Sequence, residues 1–308
     1  VSHLGVVVNP VAGKGRGTGV GAAVLDALRR RGHRVEDLTA RDLRTATAHA
    51  RRAAVAGLDA LVVVGGDGLV HLGANVVAET DLPLGIVAGG TGNDVARALG
   101  LPRGDVAASV AAIERALLTG PRTIDAVRVG SPAQAAREWY LGALSCGIDA
   151  AVNARANALA WPRGSARYVR ALVPELRAFR PYGYRLTTDE GVWESAGTVV
   201  VAANGPWIGG GIRVAPDARL DDGLLDVVVA GPFSRAGVVR IFPGMYAGRH
   251  VRHPQVQVIR SRRVLVEPAP HLGGTPPEAH ADGERIGALP LLAEVVPGAV
   301  RVLATDPT

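Results

Sequence analysis

The run Leu61-Val62-Val63-Val64-Gly65-Gly66-Asp67-Gly68 decides how the chain folds. Four apolar residues, three of them β-branched, read as a buried strand of a parallel sheet, and the chain then turns through glycines that hold one carboxylate. Gly65, Gly66 and Gly68 lack Cβ atoms, so they are free to take positive φ and to bring backbone N–H groups close to a phosphate chain. Asp67, fixed among them, is suited to hold a divalent cation or to accept a proton. The plainer reading is a strand-to-helix turn in a glycine-rich chain, since 40 of 308 residues are glycine.

Two further loops of the same kind weigh against composition alone. Gly89-Gly90-Thr91-Gly92-Asn93-Asp94 follows the apolar strand Leu84 to Ala88, and Gly13-Lys14-Gly15-Arg16-Gly17 follows the strand Leu4 to Val8. In an open α/β sheet, ligands sit outside the carboxyl ends of the strands, where the three loops would converge. The first loop is not a Walker A motif, because no Ser or Thr follows Lys14. It still suits a triphosphate, with Lys14 as a point charge and Arg16 as a fork. Asn93 or Asp94 is also a good helix N-cap, and a capped helix start is itself an anion site.

Between Leu4 and Gly120 strands alternate with helices: strands at Leu4 to Val8, His33 to Leu38, Asp59 to Val64 and Pro83 to Ala88, and helices at Thr18 to Arg31, Leu43 to Gly57, Leu69 to Glu79, Asp94 to Gly100 and Val106 to Leu118. This predicts a parallel sheet covered on both faces. After Pro121 the texture changes. Strands are expected at Ile124 to Val129, Trp139 to Ser145, Tyr182 to Thr188, Thr198 to Ala203, Leu224 to Ala230, Val256 to Ile259, Val264 to Glu267 and Ala299 to Ala304, with helical insertions at Ala150 to Leu159, Ala166 to Phe179 and Arg235 to Ala247. The expected fold is α/β plus mainly β. An α/β nucleotide-binding domain occupies 1–121, with 293–308 as its optional completion, and an antiparallel, sandwich-like domain occupies 122–292 across a cleft.

The balance of 34 basic against 28 acidic residues favours anionic partners, and aromatics at 4% without an aromatic-interleaved basic tract argue against nucleic acid. The single cysteine, Cys146, excludes an internal disulfide. No run is long and apolar enough for a membrane span, and the first residues lack a signal-peptide layout. A cytoplasmic location with peripheral membrane contact is therefore expected. The histidines show no metal-ligand spacing. Asp221-Asp222-Gly223 and Asp282-Gly283-Glu284 each read as a hairpin turn on their own.

Taken in order, Asn9 to Arg16, Gly65-Gly-Asp-Gly68, Pro83-Leu-Gly85 through Gly92-Asn-Asp94, Asp221-Asp-Gly223 and Asp282-Gly-Glu284 resemble the diacylglycerol kinase catalytic-domain family, which includes soluble bacterial diacylglycerol kinases and sphingosine and ceramide kinases. The resemblance implies an N-terminal domain like those of phosphofructokinases and NAD kinases, a C-terminal lipid-holding β-sandwich, ATP with Mg2+ as donor, and a lipid hydroxyl as acceptor, most simply diacylglycerol. Carried over, Asn9, Gly13, Lys14, Arg16, Thr39, Gly65, Gly66, Gly68, Gly90, Thr91, Gly92, Asn93 and Asp94 line the nucleotide. Asp67 directs Mg2+, Asp222 joins a structural Mg2+ site with backbone carbonyls near Arg219 and Leu224, and Glu284 is the catalytic base. The roles of Asp67 and Glu284 are interchangeable at this level.

Two departures stand out. Leu69 replaces the family's threonine, and Ala88-Gly89-Gly90 stands where a proline or single glycine is common. A kinase of NAD and a non-catalytic nucleotide- or lipid-binding module are the rival readings. The expected partner is a diacylglycerol-like lipid at a membrane surface, with the arginine-rich segment Arg249 to Arg263 as one place to meet an anionic bilayer. A homodimer is left open.

Overall fold

Every residue of the strand Ala60–Gly65 is buried, as a strand covered by helices on both faces requires. In the computed structural model, which describes residues 1–9, 17–134, 137–159, 161 and 166–304, the chain forms two units, residues 1–126 with 297 onward, and 127–296. The first contains β1 (His3–Val8), β2 (Arg34–Asp37), β3 (Ala60–Gly65) and β4 (Leu84–Ala88), ordered β2-β1-β3-β4 and all parallel. The register sets Val6 opposite Val62 and Val62 opposite Gly85.

Helices Gly17–Arg30 and Val106–Thr119 cover one face, placing Val24, Leu25, Leu28, Val110 and Ile113 against Leu4, Val6 and Val62. Helix Leu43–Val55 buries small residues, Ala46, Ala50 and Ala53, at helical spacing, and Asp42 caps it by accepting from Thr45 N–H at 2.8 Å. Helix Asp67–Val77 buries Leu69 to Ala74 and Val77. It starts at Asp67 itself, two residues before the sequence pattern places it.

The second unit is antiparallel. Its strands are β5 (Arg122–Gly130), β6 (Glu138–Tyr140), β7 (Ala143–Gly147), β8 (Tyr182–Thr188), β9 (Gly191–Gly197), β10 (Val199–Ala203), β11 (Leu225–Ala230), β12 (Val256–Ser261), β13 (Arg263–Pro268), β14 (Ala279–Ala281), β15 (Glu284–Gly287) and β16 (Leu291–Val302), with helices Ile148–Ala158, Ala166–Ala178 and Arg235–Met245. One sheet has the order β12-β11-β10-β7-β14-β15. In the other, the start of β16 pairs with β13, β13 with β8, and β8 with β9. Val127, Leu144, Cys146, Leu186, Val200, Val227 and Val264 share the core of the sandwich. Tyr140 and Tyr184 are buried there because each hydroxyl finds a carbonyl, Ala202 O at 3.0 Å and Cys146 O at 2.7 Å.

The chain leaves the first unit within β5 and returns within β16, whose Val302 pairs in parallel with Leu84 of β4. Among the described residues no helix is long and apolar enough to cross a membrane.

Candidate nucleotide and catalytic residues

The carboxyl ends of β1, β3 and β4 bring together most of the expected nucleotide residues of the first unit. Asn9 continues β1, and its N–H donates to Val64 O at 3.0 Å. Gly89 N–H donates to Gly65 O at 2.9 Å, which joins the loop after β4 to the one after β3. Gly90 is closely constrained by backbone. A Cβ there would stand 2.4 Å from Gly66 Cα, closer than real side chains come to backbone.

None of Gly65, Gly66, Gly68, Gly89, Gly90 and Gly92 has positive φ, contrary to the freedom expected for the first three. At Gly90, glycine is needed because one loop lies against the other, backbone to backbone. The left-handed residue is Asn93, at φ 56°. Its side chain accepts from Gly90 N–H at 3.0 Å and donates to Gly90 O at 2.9 Å, so it clamps its own loop instead of capping the helix Asp94–Ala98.

The capping is done from the other loop. Asp67 Oδ1 accepts from the N–H groups of Asp94 at 2.7 Å and Val95 at 3.4 Å. Asp67 thus ties the two loops together across 27 residues of sequence. Burial pushes its carboxyl above the usual range, and the N–H groups of Asp94, Val95 and Asn93 pull the other way. The second oxygen borders Gly92: a Cβ on Gly92 would lie 2.4 Å from Asp67 Oδ2 and 3.6 Å from Asp94 Oδ2. Two carboxylates thus border one glycine, and the other oxygen of Asp94 lies 3.8 Å from Arg97 Nε.

Thr39 lies just beyond β2, where its hydroxyl accepts from Val8 N–H at 3.1 Å and so braces the end of β1. Thr91 is exposed at the loop tip. Gly13, Lys14 and Arg16 lie outside the described residues. Leu69 is buried, 2% exposed, and its Cδ1 would be 3.0 Å from a Cβ on Gly65. The side chain that stands in place of the family's threonine is thus part of the packing under the glycine turn.

In the second unit, Asp282 and Gly283 form a two-residue hairpin turn between β14 and β15, both with positive φ, 50° and 87°. The Asp282 carboxylate does more than turn the chain. It accepts from the N–H groups of Leu141 at 2.9 Å, Gly142 at 2.9 Å and Ala143 at 3.2 Å. These bonds explain why the expected strand Trp139 to Ser145 is two strands: the backbone between β6 and β7 pairs with a carboxylate rather than with a neighbouring strand. Glu284, half-buried, opens β15 directly after this turn. Asn153 Nδ2 donates to Gly283 O at 3.3 Å from the helix Ile148–Ala158. In that helix Asp149 accepts from Ser145 Oγ, and burial pushes its carboxyl up.

Asp222 Oδ1 accepts from Leu224 N–H at 3.1 Å, and Oδ2 is paired with Arg260, which also bonds Asp226 at 3.2 Å. The Arg219 side chain turns to Asp221, 3.4 Å away.

The sequence singles out Asn93, Asp67 and Asp282 but does not show what any of them does to the backbone. For Asn93 the signal was there, since asparagine is among the few residues at ease in the left-handed region. For Asp282 the Asp-Gly pair announced the turn, but nothing in the sequence announced its partners 140 residues away.

Residues 3–129 match the family model of the diacylglycerol kinase catalytic domain, and residues 142–304 match that of the YegS C-terminal NAD kinase beta sandwich-like domain. The diacylglycerol kinase of Mycobacterium tuberculosis is 35% identical over 306 residues, which cover 98% of this chain and 95% of its relative. The chain belongs to the diacylglycerol kinase family. This lipid kinase is also similar to the diacylglycerol kinase of Bacillus subtilis, at 24% identity over 289 residues, 92% of this chain and 90% of the relative. A solved structure of a diacylglycerol kinase from Bacillus anthracis shares its fold, with a TM-score of 0.71 at 19% identity over 99% of this chain and 97% of that one. In the kinase, the Asp67 and Asp94 carboxylates fall within the catalytic-domain match, and Asp222, Asp282 and Glu284 within the sandwich match.

Proposed function

We propose that the kinase transfers the γ-phosphoryl group of ATP to the free hydroxyl of diacylglycerol, forming phosphatidic acid. The observation that carries this reading is the Asp67 bridge, one carboxylate holding two glycine loops together while its second oxygen and one of Asp94 both border Gly92. Such a loop pair sets two carboxylates beside one glycine on loops that are tied together. Phosphoryl transfer asks for that: positioning and charge neutralisation around a loose transition state.

In this reading Asn9, Gly65, Gly66, Gly68 and Gly90 to Asp94 face the nucleotide, with Gly13, Lys14, Arg16 and Thr39 completing its site. The carboxylates of Asp67 and Asp94 fit Mg2+, which is commonly held by one or two carboxylates together with the substrate's phosphates. When bound, it supplies charge neutralisation at the phosphates. The second proposed Mg2+ position, Asp222 with the carbonyls of Arg219 and Leu224, fits less well. Both oxygens of Asp222 already have partners, so no step is derived from it.

Glu284 is the proposed base, taking the proton from the lipid hydroxyl as that oxygen attacks phosphorus. Because diacylglycerol resides in a bilayer, the enzyme would act as a peripheral membrane protein. Labelled ATP offered in turn with diacylglycerol micelles, sphingosine or NAD tests the reading. Labelled phosphatidic acid is expected. Label only in a sphingosine or NAD product would replace the acceptor, and nucleotide binding without transfer to any of them would end the proposal.

A further inference from the structure

From Gly231 to Arg263 the chain contains seven arginines and no acidic residue. Some of this charge is neutralised internally: Arg260 is paired with Asp222 and Asp226, and Arg263 lies 3.4 Å from Asp189. Arg235 Nε donates to Phe179 O at 3.2 Å, a bond that holds the side chain and leaves its charge in place. Arg240, Arg249, Arg252 and Arg262 are exposed and have no ion pair among the described residues. Most of the surplus charge therefore lies at and just after the helix Arg235–Met245, ahead of most of the arginine-rich segment that the sequence points to.

That helix is apolar on both sides. Ser234 caps it by accepting from Gly237 N–H at 3.1 Å, and Val238 and Ile241 pack inward on the core cluster that includes Val201, Val228 and Phe233. Three and four residues apart, Val239, Phe242 and Tyr246 form a second stripe. Val239 is 57% and Tyr246 52% exposed, and the rings of Phe242 and Tyr246 meet edge to face at 5.7 Å. No residue of the helix is fully buried. Arg249 is folded back beside it, its Cβ 3.8 Å from where a Cβ on Gly244 would stand.

An outward aromatic and aliphatic stripe bordered by unpaired arginines matches one kind of partner, an interface that is apolar inside and anionic at its surface. We propose that this helix docks the enzyme on an anionic bilayer, with Val239, Phe242 and Tyr246 set among the headgroups and Arg240, Arg249 and Arg252 against lipid phosphates. The inference rests on the reading that the acceptor is a membrane lipid.

The test is co-sedimentation of the full chain, without nucleotide, with phosphatidylcholine vesicles lacking or containing phosphatidylserine. The wild type should favour the anionic vesicles and lose them as salt rises. Arg240→Ala and Arg249→Ala should each weaken binding about fivefold. Val239→Asp with Tyr246→Asp should abolish it, while turnover of a short-chain diacylglycerol dispersed in water stays at the wild-type level in every variant. Equal binding of wild type and variants, or a wild type indifferent to the vesicles, would overturn the proposal. So would gel filtration showing that Val239→Asp splits a dimer while vesicle binding persists, because the stripe would then be a surface for a second copy. If the aspartate variants lose dispersed turnover as well, the arginine variants decide. A wild type that docks but phosphorylates no lipid would count against the acceptor and leave the docking helix standing.

Discussion

Replacing Asp282 by alanine should unfold the second unit far more readily than loss of a surface carboxylate would. Three backbone N–H groups, those of Leu141, Gly142 and Ala143, are buried and have the Asp282 carboxylate as their acceptor at 2.9, 2.9 and 3.2 Å. A buried donor left without an acceptor costs about 1–3 kcal/mol, so even at the low end the three together cost about 3 kcal/mol. Alanine at the φ of 50° found here adds about 1 kcal/mol. A total of about 4 kcal/mol corresponds to a fall in melting temperature of roughly 8–16 °C for a unit of this size. Asp282→Asn is the informative comparison. Asparagine tolerates the left-handed region, and its carbonyl can replace Oδ1, which serves Gly142 and Ala143, but its amide nitrogen would face Leu141 N–H. About 1–2 kcal/mol is expected there. Thermal unfolding of the full chain, followed by circular dichroism and calorimetry, provides the readout. An alanine variant that melts within about 2 °C of the wild type would refute the reasoning.

Three other substitutions extend the account. Gly90→Ala, whose Cβ would stand 2.4 Å from Gly66 Cα, should destabilise by about 1–3 kcal/mol and weaken ATP binding in calorimetric titration. Gly19→Ala, in the helix Gly17–Arg30 with nothing within 4 Å of the new methyl, should instead stabilise by about 0.5–1 kcal/mol in the same denaturation assay. Asp149→Asn concerns pH. Burial raises the Asp149 carboxyl above its unfolded value, against the opposing pull of Ser145, so the folded state holds the proton more tightly and the ionised form weakens the fold. The stability associated with this proton is fully present below the unfolded value of about 4 and is lost as pH rises through the folded value. Urea titrations should therefore show Asp149→Asn more stable than the wild type at neutral pH, the advantage shrinking as pH falls towards about 4. An advantage that grows on acidification would contradict the assignment.

The α/β unit was legible because its signals are local and repeated. Ala60 to Gly65 is an unbroken apolar run, and Gly32 at φ 89° ends its helix where the pattern stops. The second unit was less so. β9, Gly191-Val-Trp-Glu-Ser-Ala-Gly197, carries little apolar alternation, and β14, at three residues, is too short for periodicity to speak. The candidate site follows the same division. The glycine loops and their carboxylate could be read as a set, but that Asp67 caps a helix from another loop depends on pairing across 27 residues. The reason for glycine at position 90 depends likewise on where a neighbouring backbone passes. Side-chain identity sets the vocabulary of such contacts, and tertiary packing chooses among them.

The central claim is that these loop carboxylates serve transfer of a phosphoryl group from ATP to diacylglycerol, and turnover of matched variants measures it directly. Asp67→Asn keeps an acceptor for Asp94 N–H and should keep the fold, while Glu284→Gln removes only the proposed base. Both should melt close to the wild type and form phosphatidic acid at least about a hundredfold more slowly. Asp67→Asn protein that is folded, binds ATP and forms phosphatidic acid at the wild-type rate would contradict the account.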